Sequence, residues 1–272
     1  MGIKNDIYIS DTHIGCQLGL CHPDGAELDN GGTYSPTVLQ LKVWSWWEEF
    51  WYDWVPRVTK GEPFNLILDG DIPDGRHHNA TSQWSQSHAD QFKHVLKIFE
   101  PIVDRAANLY WVRGTEAHVG PSGENEEILA EKLGAIPNEY GQYARFELWK
   151  WCGNALCNVM HHIGTTSRQA YESSALQAEL IAEFVEAGRS GIESPDYVIR
   201  AHRHRYIKVL NPSQKHECAA IALPCWQLKT PFVYKTAMRV MEPQFGGVLI
   251  RQGDEEFYSR HFVKMLTRGR IE

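Results

Sequence analysis

The 272-residue sequence lacks the features of a membrane protein, a disulfide scaffold or a broad nucleic-acid-binding surface. No apolar run reaches the roughly 18 residues that a membrane span requires. None of the six cysteines forms a Cys-x-x-Cys pair, and no charged and apolar leader opens the chain, so we expect free thiols in a cytoplasmic protein. The formal net charge of −7 argues against a broad basic surface that grips duplex nucleic acid, although it leaves room for a local basic groove.

Linkers and nucleophile motifs are also missing. No Pro/Gly/Ser-rich stretch divides the chain, so we expect residues 1–272 to form a single domain, with the β-rich segment 214–272 completing or capping it. No convincing Ser/His/Asp arrangement or P-loop is found, which agrees with a chemistry that needs no protein nucleophile. What is present is a 43% hydrophobic composition with 10 Trp, 11 Tyr and 10 Phe, enough to fill a sizeable core.

Hydrophobic periodicity predicts a βαβαβ order for the first half of the chain and a β-rich second half with one helix. The first helix is predicted to begin at the N-cap Ser35, with Pro36 in its first turn, and to run to about residue 55. This order is typical of an α/β sandwich with a mixed sheet in each half. Further strands are predicted within 3–10, 64–75, 108–118, 143–151, 155–164 and 195–205, and further helices within 86–107, 125–133 and 174–187.

The first predicted helix carries an aromatic stripe. Tryptophans at positions 44, 47, 51 and 54 are spaced three, four and three residues apart, which places them on one helical face. We expect this face to pack into the core. Two alternatives are a platform for stacking nucleic-acid bases and a contact face for a protein partner.

Five predicted strands end in residues that can bind a metal ion. The carboxyl ends of strands in α/β folds are where sites form, because the scaffold fixes the positions of the loops that supply the chemistry. Each pair alone could be an ordinary turn, but their joint occurrence indicates a metal site. The residues are Asp11 and His13; Asp71 and Asp74; Thr115, Glu116 and His118; His161 and His162; His202 and His204.

In this order the motifs resemble those of the calcineurin-like metallophosphoesterases. Asp-x-His lies at 11–13, Gly-Asp-x-x-Asp at 70–74, a variant of Gly-Asn-His at 114–118, and His-x-His at 202–204 with Ala201 in place of the preceding glycine. The "DTHIG" form is more similar to the nuclease branch containing Mre11 and SbcD, and to uncharacterised phage phosphoesterases. The resemblance implies a four-layer α-β-β-α sandwich with two mixed sheets.

The resemblance also implies two divalent metal ions, which we expect to be Mn²⁺, with Fe, Zn, Ni and Mg as alternatives. Two such cations about 3.5–4 Å apart can clamp a phosphoryl group and acidify a bridging water, whose hydroxide attacks phosphorus. Asp71 would bridge the two metals. The implied ligands are Asp11, His13, Asp71 and His204 for one metal, and Asp71, the Gly114 loop, His161 and His202 for the other.

The stretch "GTEAH" departs from the family pattern, in which Asn is followed directly by His. Thr115 occupies the Asn position by counting but offers only a hydroxyl, whereas the carboxylate of Glu116 is the better ligand for a hard cation. Both are therefore candidate ligands. His118 matches the family's catalytic histidine, which protonates the leaving oxygen or stabilises the transition state, and Asp71 is the other residue expected to be catalytic. His161 is preferred over His162 because it follows the apolar strand directly.

The predicted activity is hydrolysis of phosphodiester bonds, with DNA or RNA as candidate substrates. Alternatives are a small-molecule or cyclic nucleotide phosphodiesterase, a phosphomonoesterase, and a metal-binding protein without catalysis. No membrane partner is expected, a homo-oligomer is an open alternative, and a phage-encoded chain would act in the host cytoplasm. Residues expected to contact substrate, with surface solvation as the alternative for the arginines, are Arg113, Arg203, Arg205, His77 and His78.

Overall fold

The computed structural model describes residues 3–77, 81–164, 171–211, 218–235, 241–253 and 256–267. The strands are β1 (Asn5–Ile9), β2 (Ala26–Glu27), β3 (Thr33–Tyr34), β4 (Asn65–Asp69), β5 (Asn108–Val112), β6 (Ala144–Arg145), β7 (Leu148–Cys152), β8 (Ala155–Val159), β9 (Tyr197–Arg200), β10 (Ile207–Leu210), β11 (Ala219–Ala222), β12 (Phe245–Gln252) and β13 (Phe257–Lys264). The helices are α1 (Val38–Glu49), α2 (Val55–Val58), α3 (His88–Val103), α4 (Glu116–Val119), α5 (Glu124–Lys132), α6 (Glu172–Ser190) and α7 (Pro231–Lys235).

Two mixed sheets form the centre of the molecule. The first sheet has the strand order β13-β12-β1-β4-β5-β6, in which β1, β4, β5 and β6 are parallel and β12 and β13 are antiparallel to their neighbours. The second has the order β10-β11-β9-β8-β7, with a parallel core of β8, β9 and β11 between two antiparallel edge strands. The segment after residue 214 supplies strands to both sheets.

Strand periodicity separates the apolar residues into layers. In β1, Ile7 and Ile9 face the helices α1, α3 and α5, whereas Tyr8 faces the second sheet, as expected for side chains that alternate along a strand. On the far side of the second sheet, Leu176 and Leu180 of α6 pack on its outer face. The result is the four-layer α-β-β-α sandwich that the motif order implies, with two mixed sheets.

The tryptophan stripe belongs to the core. Trp47 and Trp51 are fully buried, and Trp44 and Trp54 are nearly so, against Phe99 of α3 and the first sheet. These side chains are therefore not a surface platform for bases or a partner. A π-helical turn at Phe50–Trp54 connects α1 to α2. It precedes Pro56, which has no N–H to give and would crowd the carbonyl four residues earlier in a regular α-helix.

Helix α1 begins two residues later than predicted. Thr37, not Ser35, is the N-cap, and its side chain accepts from the backbone N–H of Gln40 while the Gln40 side chain accepts from the Thr37 N–H. This reciprocal capping box satisfies two backbone donors at the start of the helix. All six cysteines are free and buried, as expected. No helix within the described ranges has the length and hydropathy needed to cross a bilayer.

Candidate metal centre

The predicted ligands lie in the loops that follow β1, β4, β5, β8 and β9. Parallel neighbours have their carboxyl ends at the same edge of a sheet, and this holds for β1, β4 and β5 in one sheet and for β8 and β9 in the other. Hydrogen bonds tie the loops together: the Asp11 N–H donates to the Gly70 carbonyl at 3.0 Å, and the His202 N–H donates to the Asp11 carboxylate at 3.2 Å. The second of these bonds joins the two sheets.

An unusual backbone conformation distinguishes these residues. Within the described ranges six non-glycine residues have positive φ, and five of them are predicted ligands. The five are Asp11 (53°), His13 (45°), Asp71 (54°), His202 (66°) and His204 (55°). The left-handed region costs a residue with a Cβ about 1–3 kcal/mol and is concentrated at functional sites. The fold thus tolerates strain at the positions where it gathers these side chains.

Asp11, His13 and His204 form the first ligand group. The Asp11 Oδ1 atom lies 3.1 Å from His204 Nε2 and 3.7 Å from His13 Nε2, and the two imidazole nitrogens are 3.3 Å apart. The carboxylate and the His13 ring are almost completely buried, whereas His204 is partly exposed. Three of the four residues implied for one metal therefore share one small volume.

Asp11, Asp71, His161 and His202 form the second group. The Asp71 Oδ2 atom lies 3.1 Å from His161 Nε2 and 4.0 Å from His202 Nδ1, and Asp11 Oδ1 lies 3.9 Å from His161 Nε2. The carboxylate common to both groups is that of Asp11, where the resemblance implies Asp71, so the bridging role of Asp71 stays a prediction. Of the adjacent histidines, His161 is buried in this group and His162 is exposed.

His13, Asp74 and His118 form a third group, which the resemblance does not imply as a metal site. The His13 Nδ1 atom lies 3.3 Å from Asp74 Oδ1, and the rings of His13 and His118 are 4.4 Å apart. His118 Nδ1 donates to the Asp74 carbonyl at 2.7 Å, so its Nε2 is left for other partners. His77 Nε2 lies 3.3 Å from Asp74 Oδ2. The second acid of Gly-Asp-x-x-Asp was the signal for Asp74.

The stretch "GTEAH" leads into the single helical turn α4, with Thr115 as its N-cap. Thr115 donates to Asp71 from its backbone N–H at 2.7 Å and lies 3.0 Å from both carboxylate oxygens with its hydroxyl. A Cβ at Gly114 would stand 2.1 Å from Asp71 Oδ1, so only glycine fits there. Glu116 begins α4 with an exposed side chain and belongs to none of the three groups in the described part of the chain. The turn of α4 returns His118 to the site.

Glu126 is a buried carboxylate beneath the site that sequence reasoning missed. It accepts from the backbone N–H groups of Ile72 at 3.0 Å and Gly114 at 2.8 Å, and so fastens the loops after β4 and β5 to each other. Burial, together with the nearby charge of Asp71, raises its pKa to about 7. The acid-rich sequence of α5 is typical of a solvated helix face, so nothing in it predicts that Glu126 is buried and accepts these two backbone hydrogen bonds.

The carboxylates and imidazoles of the site shift one another's pKa values. Burial alone would raise the pKa of Asp11, but the imidazoles of His204 and His161 bring it well below its usual value. Burial likewise opposes protonation of His13, yet the adjacent carboxylates of Asp11 and Asp74 raise its pKa to about 9. The carboxylates are therefore ionised at neutral pH, and positive charge is stabilised between them.

The donor set fits a divalent cation. His161 Nδ1 donates to the Asp69 carbonyl at 2.6 Å, which fixes the ring and leaves Nε2 facing Asp71. Among the described residues, three buried polar atoms of the groups have no well-formed hydrogen bond: Asp11 Oδ1, His13 Nδ1 and Asp74 Oδ1. A buried acceptor without a donor destabilises the fold unless a cation or a proton binds it. A set of carboxylate and imidazole ligands suits Mn, Fe or Zn.

A cavity of about 650 Å³ opens over the three groups, and we call it the site cavity. Of the predicted substrate-binding residues, His77, Arg203 and Arg205 line it. Arg203 donates to the Gly164 carbonyl, and Arg205 lies 3.2 Å from the Glu172 carboxylate, so both guanidinium groups are held in place. His78 lies outside the described residues.

Arg113 does not line the site cavity. Its guanidinium donates to the Ala144 carbonyl at 2.6 Å, the Ser122 carbonyl at 3.1 Å and the Glu127 carboxylate at 3.1 Å. These contacts fasten β5 to β6 and α5. The position of Arg113 directly before Gly114 suggested a phosphate contact, but its side chain serves the scaffold instead.

Comparisons with known proteins give distant similarities in structure. No family model matches the sequence, and no curated protein matches it. Vps29 from Entamoeba histolytica, crystallised with Zn²⁺, is 11% identical with a TM-score of 0.43, over 95% of this chain and 92% of that one. A predicted phosphoesterase from Streptococcus pneumoniae is 9% identical with a TM-score of 0.36, over 97% and 99%. The sulfate thiohydrolase SoxB of Thermus thermophilus is 11% identical with a TM-score of 0.43, over 97% and 57%.

Similarity at this distance assigns neither an activity nor a substrate to the chain. The function has to be argued from the geometry and chemistry of the three ligand groups and of the site cavity above them.

Proposed function

We propose that the protein is a metal-dependent phosphoesterase that hydrolyses phosphodiesters at the candidate metal centre. One observation carries the proposal: loops from both sheets place two adjoining ligand groups around Asp11, with five ligands held in the left-handed backbone region. Structural ion pairs rarely need such strain, whereas functional sites often do. The donor types and the cavity above them are those expected for a hydrolytic metal site.

The residues that would hold metal are those of the two groups that share Asp11. Mn²⁺ is our first expectation, and Fe, Zn, Ni and Mg are the alternatives, because oxygen and imidazole ligands suit all of these to different degrees. When bound, divalent cations lower the pKa of coordinated water and neutralise phosphate charge. The protein contributes the fixed positions of the carboxylates and rings.

His118 is the residue we assign to proton transfer at the leaving oxygen. It lines the site cavity, and its Nδ1 bond to the Asp74 carbonyl orients the ring with Nε2 available. Burial lowers its pKa to about 4, against the opposing effect of Asp71. A phosphate anion beside the ring favours the imidazolium form, so His118 would take up a proton from solvent when substrate binds and deliver it to the leaving oxygen.

The central experiment measures hydrolysis of bis-p-nitrophenyl phosphate with Mn²⁺ for the wild type, Asp71→Asn and His118→Ala. We expect each variant to lose about 100- to 10,000-fold in turnover, as is typical for loss of acid–base or electrostatic catalysis. His162→Ala is the matched control, since this exposed histidine adjoins the site without joining a ligand group. Turnover that survives both Asp71→Asn and His118→Ala would disprove the proposal.

The substrate within the phosphoester class is the finer part of the proposal. The "DTHIG" motif favours a nuclease related to Mre11 and SbcD, whereas the net charge of −7 favours a small phosphodiester. The two are separated by measuring KM for an oligonucleotide and for bis-p-nitrophenyl phosphate at 50 and 200 mM salt. A KM that rises steeply with salt for the oligonucleotide, but not for the small substrate, supports a nuclease.

A second candidate function is metal binding without catalysis. It is favoured by the occupation of the Asn position: the Thr115 hydroxyl contacts Asp71, so no amide oxygen is supplied to the second ligand group. Stoichiometric metal in the purified protein, with no hydrolysis of a panel of phosphomonoesters and phosphodiesters, supports this candidate. Metal-dependent turnover excludes it.

A further inference from the structure

The chain between β11 and β12 contributes six apolar residues to the lining of the site cavity, interspersed with Gln227, Lys229, Thr230, Lys235 and Glu242. We call the six apolar residues the apolar wall; they are Leu228, Pro231, Phe232, Val233, Met241 and Pro243. The ligand residues line the same cavity, so it offers a polar centre for phosphate and apolar surface besides. No part of the chemistry proposed above uses this wall.

Backbone hydrogen bonds hold the wall next to the ligands at both of its ends. The Trp226 N–H donates to the Asp11 carbonyl at 3.0 Å, and the Gln244 N–H donates to the His204 carbonyl at 2.9 Å. Asp11 and His204 both belong to the first ligand group. The segment that carries the wall is therefore hydrogen-bonded, near each of its ends, to a residue of the first ligand group.

Phe232 is the most exposed large residue of the wall, with 68% of its surface accessible. It lies on α7, whose Pro231 and Val233 also line the cavity, while Met241 and Leu228 form a buried floor beside it. An exposed ring above a buried apolar floor offers surface that a ligand group can cover. Binding gains free energy in proportion to the apolar area removed from water.

We propose that the substrate carries an apolar group of at least the size of a six-membered ring on its phosphoester, and that this arm lies on the apolar wall. This inference rests on the proposed function and specifies its substrate class. A cavity of about 650 Å³ is in the range of sites that enclose a whole small molecule, and is larger than a phosphate group needs. An aryl ester, an alkyl ester and a nucleoside share the required chemistry.

The test measures binding of phosphonates, which keep the phosphate shape but have a P–C bond that is not hydrolysed. Isothermal titration of the Mn²⁺-loaded protein compares methylphosphonate with phenylphosphonate. We expect phenylphosphonate to bind about tenfold more tightly, in keeping with burial of one ring. Octylphosphonate and the 5′-methylenephosphonate of thymidine identify the source: the ligand whose affinity most exceeds the value expected from its apolar area alone marks the natural arm as alkyl, aryl or nucleoside.

Two variants locate the effect. Phe232→Ser is expected to reduce the preference for phenylphosphonate to about threefold or less, and to leave the methylphosphonate affinity unchanged, because it removes apolar area only. Tyr234→Ser is the matched control: it removes an aromatic ring that is 59% exposed on the same helix and does not line the cavity. Its preference should equal that of the wild type.

The outcomes separate the two levels of the argument. Equal affinities for methylphosphonate and phenylphosphonate, or a preference that Phe232→Ser leaves intact, overturn the apolar-arm inference while the phosphoesterase proposal stands. Failure of every phosphonate to bind in a Mn²⁺-dependent way, together with no hydrolysis of bis-p-nitrophenyl phosphate, overturns the proposed function itself.

Discussion

Buried carboxylates at the two ends of β1 differ in whether the chain supplies them with partners. At the amino end of β1, Asp6 is completely buried and meets the Lys150 ammonium at 2.7 and 2.9 Å, with a further hydrogen bond from Asn65 at 2.6 Å. Lys150 also donates to the Trp151 carbonyl at 2.9 Å. At the carboxyl end of the same strand, Asp11 is equally buried but its Oδ1 has no well-formed hydrogen bond in the described part of the protein.

Under the proposed function, this difference separates a charge that stabilises the fold from one that would bind a metal. Asp6 and Lys150 neutralise each other without any bound ion. Burial alone would lower the pKa of Lys150, but the Asp6 carboxylate raises it. The cluster around Asp11 instead gathers several carboxylates and imidazoles, and its backbone is strained. Substitutions at the two ends should therefore separate folding from metal binding.

The largest expected effect is on stability, at the structural end. Lys150→Met leaves the Asp6 carboxylate buried without its cation, which should lower the free energy of unfolding by about 3–5 kcal/mol. Urea denaturation followed by fluorescence measures it. Lys264→Met is the control, because the Lys264–Glu49 pair at 2.8 Å is partly exposed and should contribute only about 0–1 kcal/mol. If both variants lose the same free energy of unfolding, the Asp6–Lys150 pair does not have the structural role described above.

The next effect concerns metal affinity, at the other end of β1. Asp11→Asn weakens the oxygen ligand common to two groups, so we expect at least a 100-fold loss of Mn²⁺ affinity, more than loss of an orienting partner usually causes. Calorimetric titration measures the affinity, and urea denaturation in chelator should give a stability close to that of the wild type. Lys150→Met, where it remains folded, should bind Mn²⁺ normally. If Asp11→Asn loses stability in urea as well as Mn²⁺ affinity, Asp11 is needed for folding and the contrast with Asp6 is wrong.

Sequence reasoning predicted the strand ends well because an apolar run and the polar residues after it are local signals. Asp11 and His13 followed from such a run, and the alternation of Ile7 and Tyr8 between two apolar layers is the period of a strand. The same reasoning placed His161 rather than His162 next to the apolar strand β8. These inferences need only neighbouring residues.

What the sequence left open depends on distant contacts. Whether Thr115 or Glu116 faces Asp71 is decided by the single turn of α4, and the structural use of Arg113 is decided by acceptors 9 to 31 residues away. The apolar wall was also unpredictable, because its residues line the cavity only through the backbone bonds that join Trp226 to Asp11 and Gln244 to His204. No periodicity encodes such pairings.

A smaller effect is the pH dependence of metal binding. The folded pKa of His13 is raised to about 9, while the pKa of Asp11 is lowered, so between pH 6 and 9 a metal must displace a proton from the histidine and none from the carboxylate. Mn²⁺ affinity should therefore rise about tenfold per pH unit for each displaced proton. His161, whose pKa the Asp71 and Asp11 carboxylates raise well above its usual value against the effect of burial, releases a second proton where it binds the metal. Titrations at pH 6.5, 7.5 and 8.5, in buffers of different ionisation enthalpy, count the protons. Affinity independent of pH would mean that His13 does not bind the metal.

The smallest effect distinguishes the two residues of "GTEAH" that compete for the Asn position. Thr115→Ala removes a hydroxyl 3.0 Å from both oxygens of Asp71 but keeps the backbone N–H bond, so the carboxylate loses part of its orientation and Mn²⁺ affinity should fall by about tenfold at most. Glu116→Ala removes an exposed carboxylate from the first turn of α4 and should leave the affinity within about twofold of the wild type. The reverse order, with Glu116→Ala more damaging, would mean that α4 rearranges on metal binding to bring Glu116 into the site. The ratio of these two small losses thus decides whether the centre is held by ligands already in place or completed by a movement of the loop after β5.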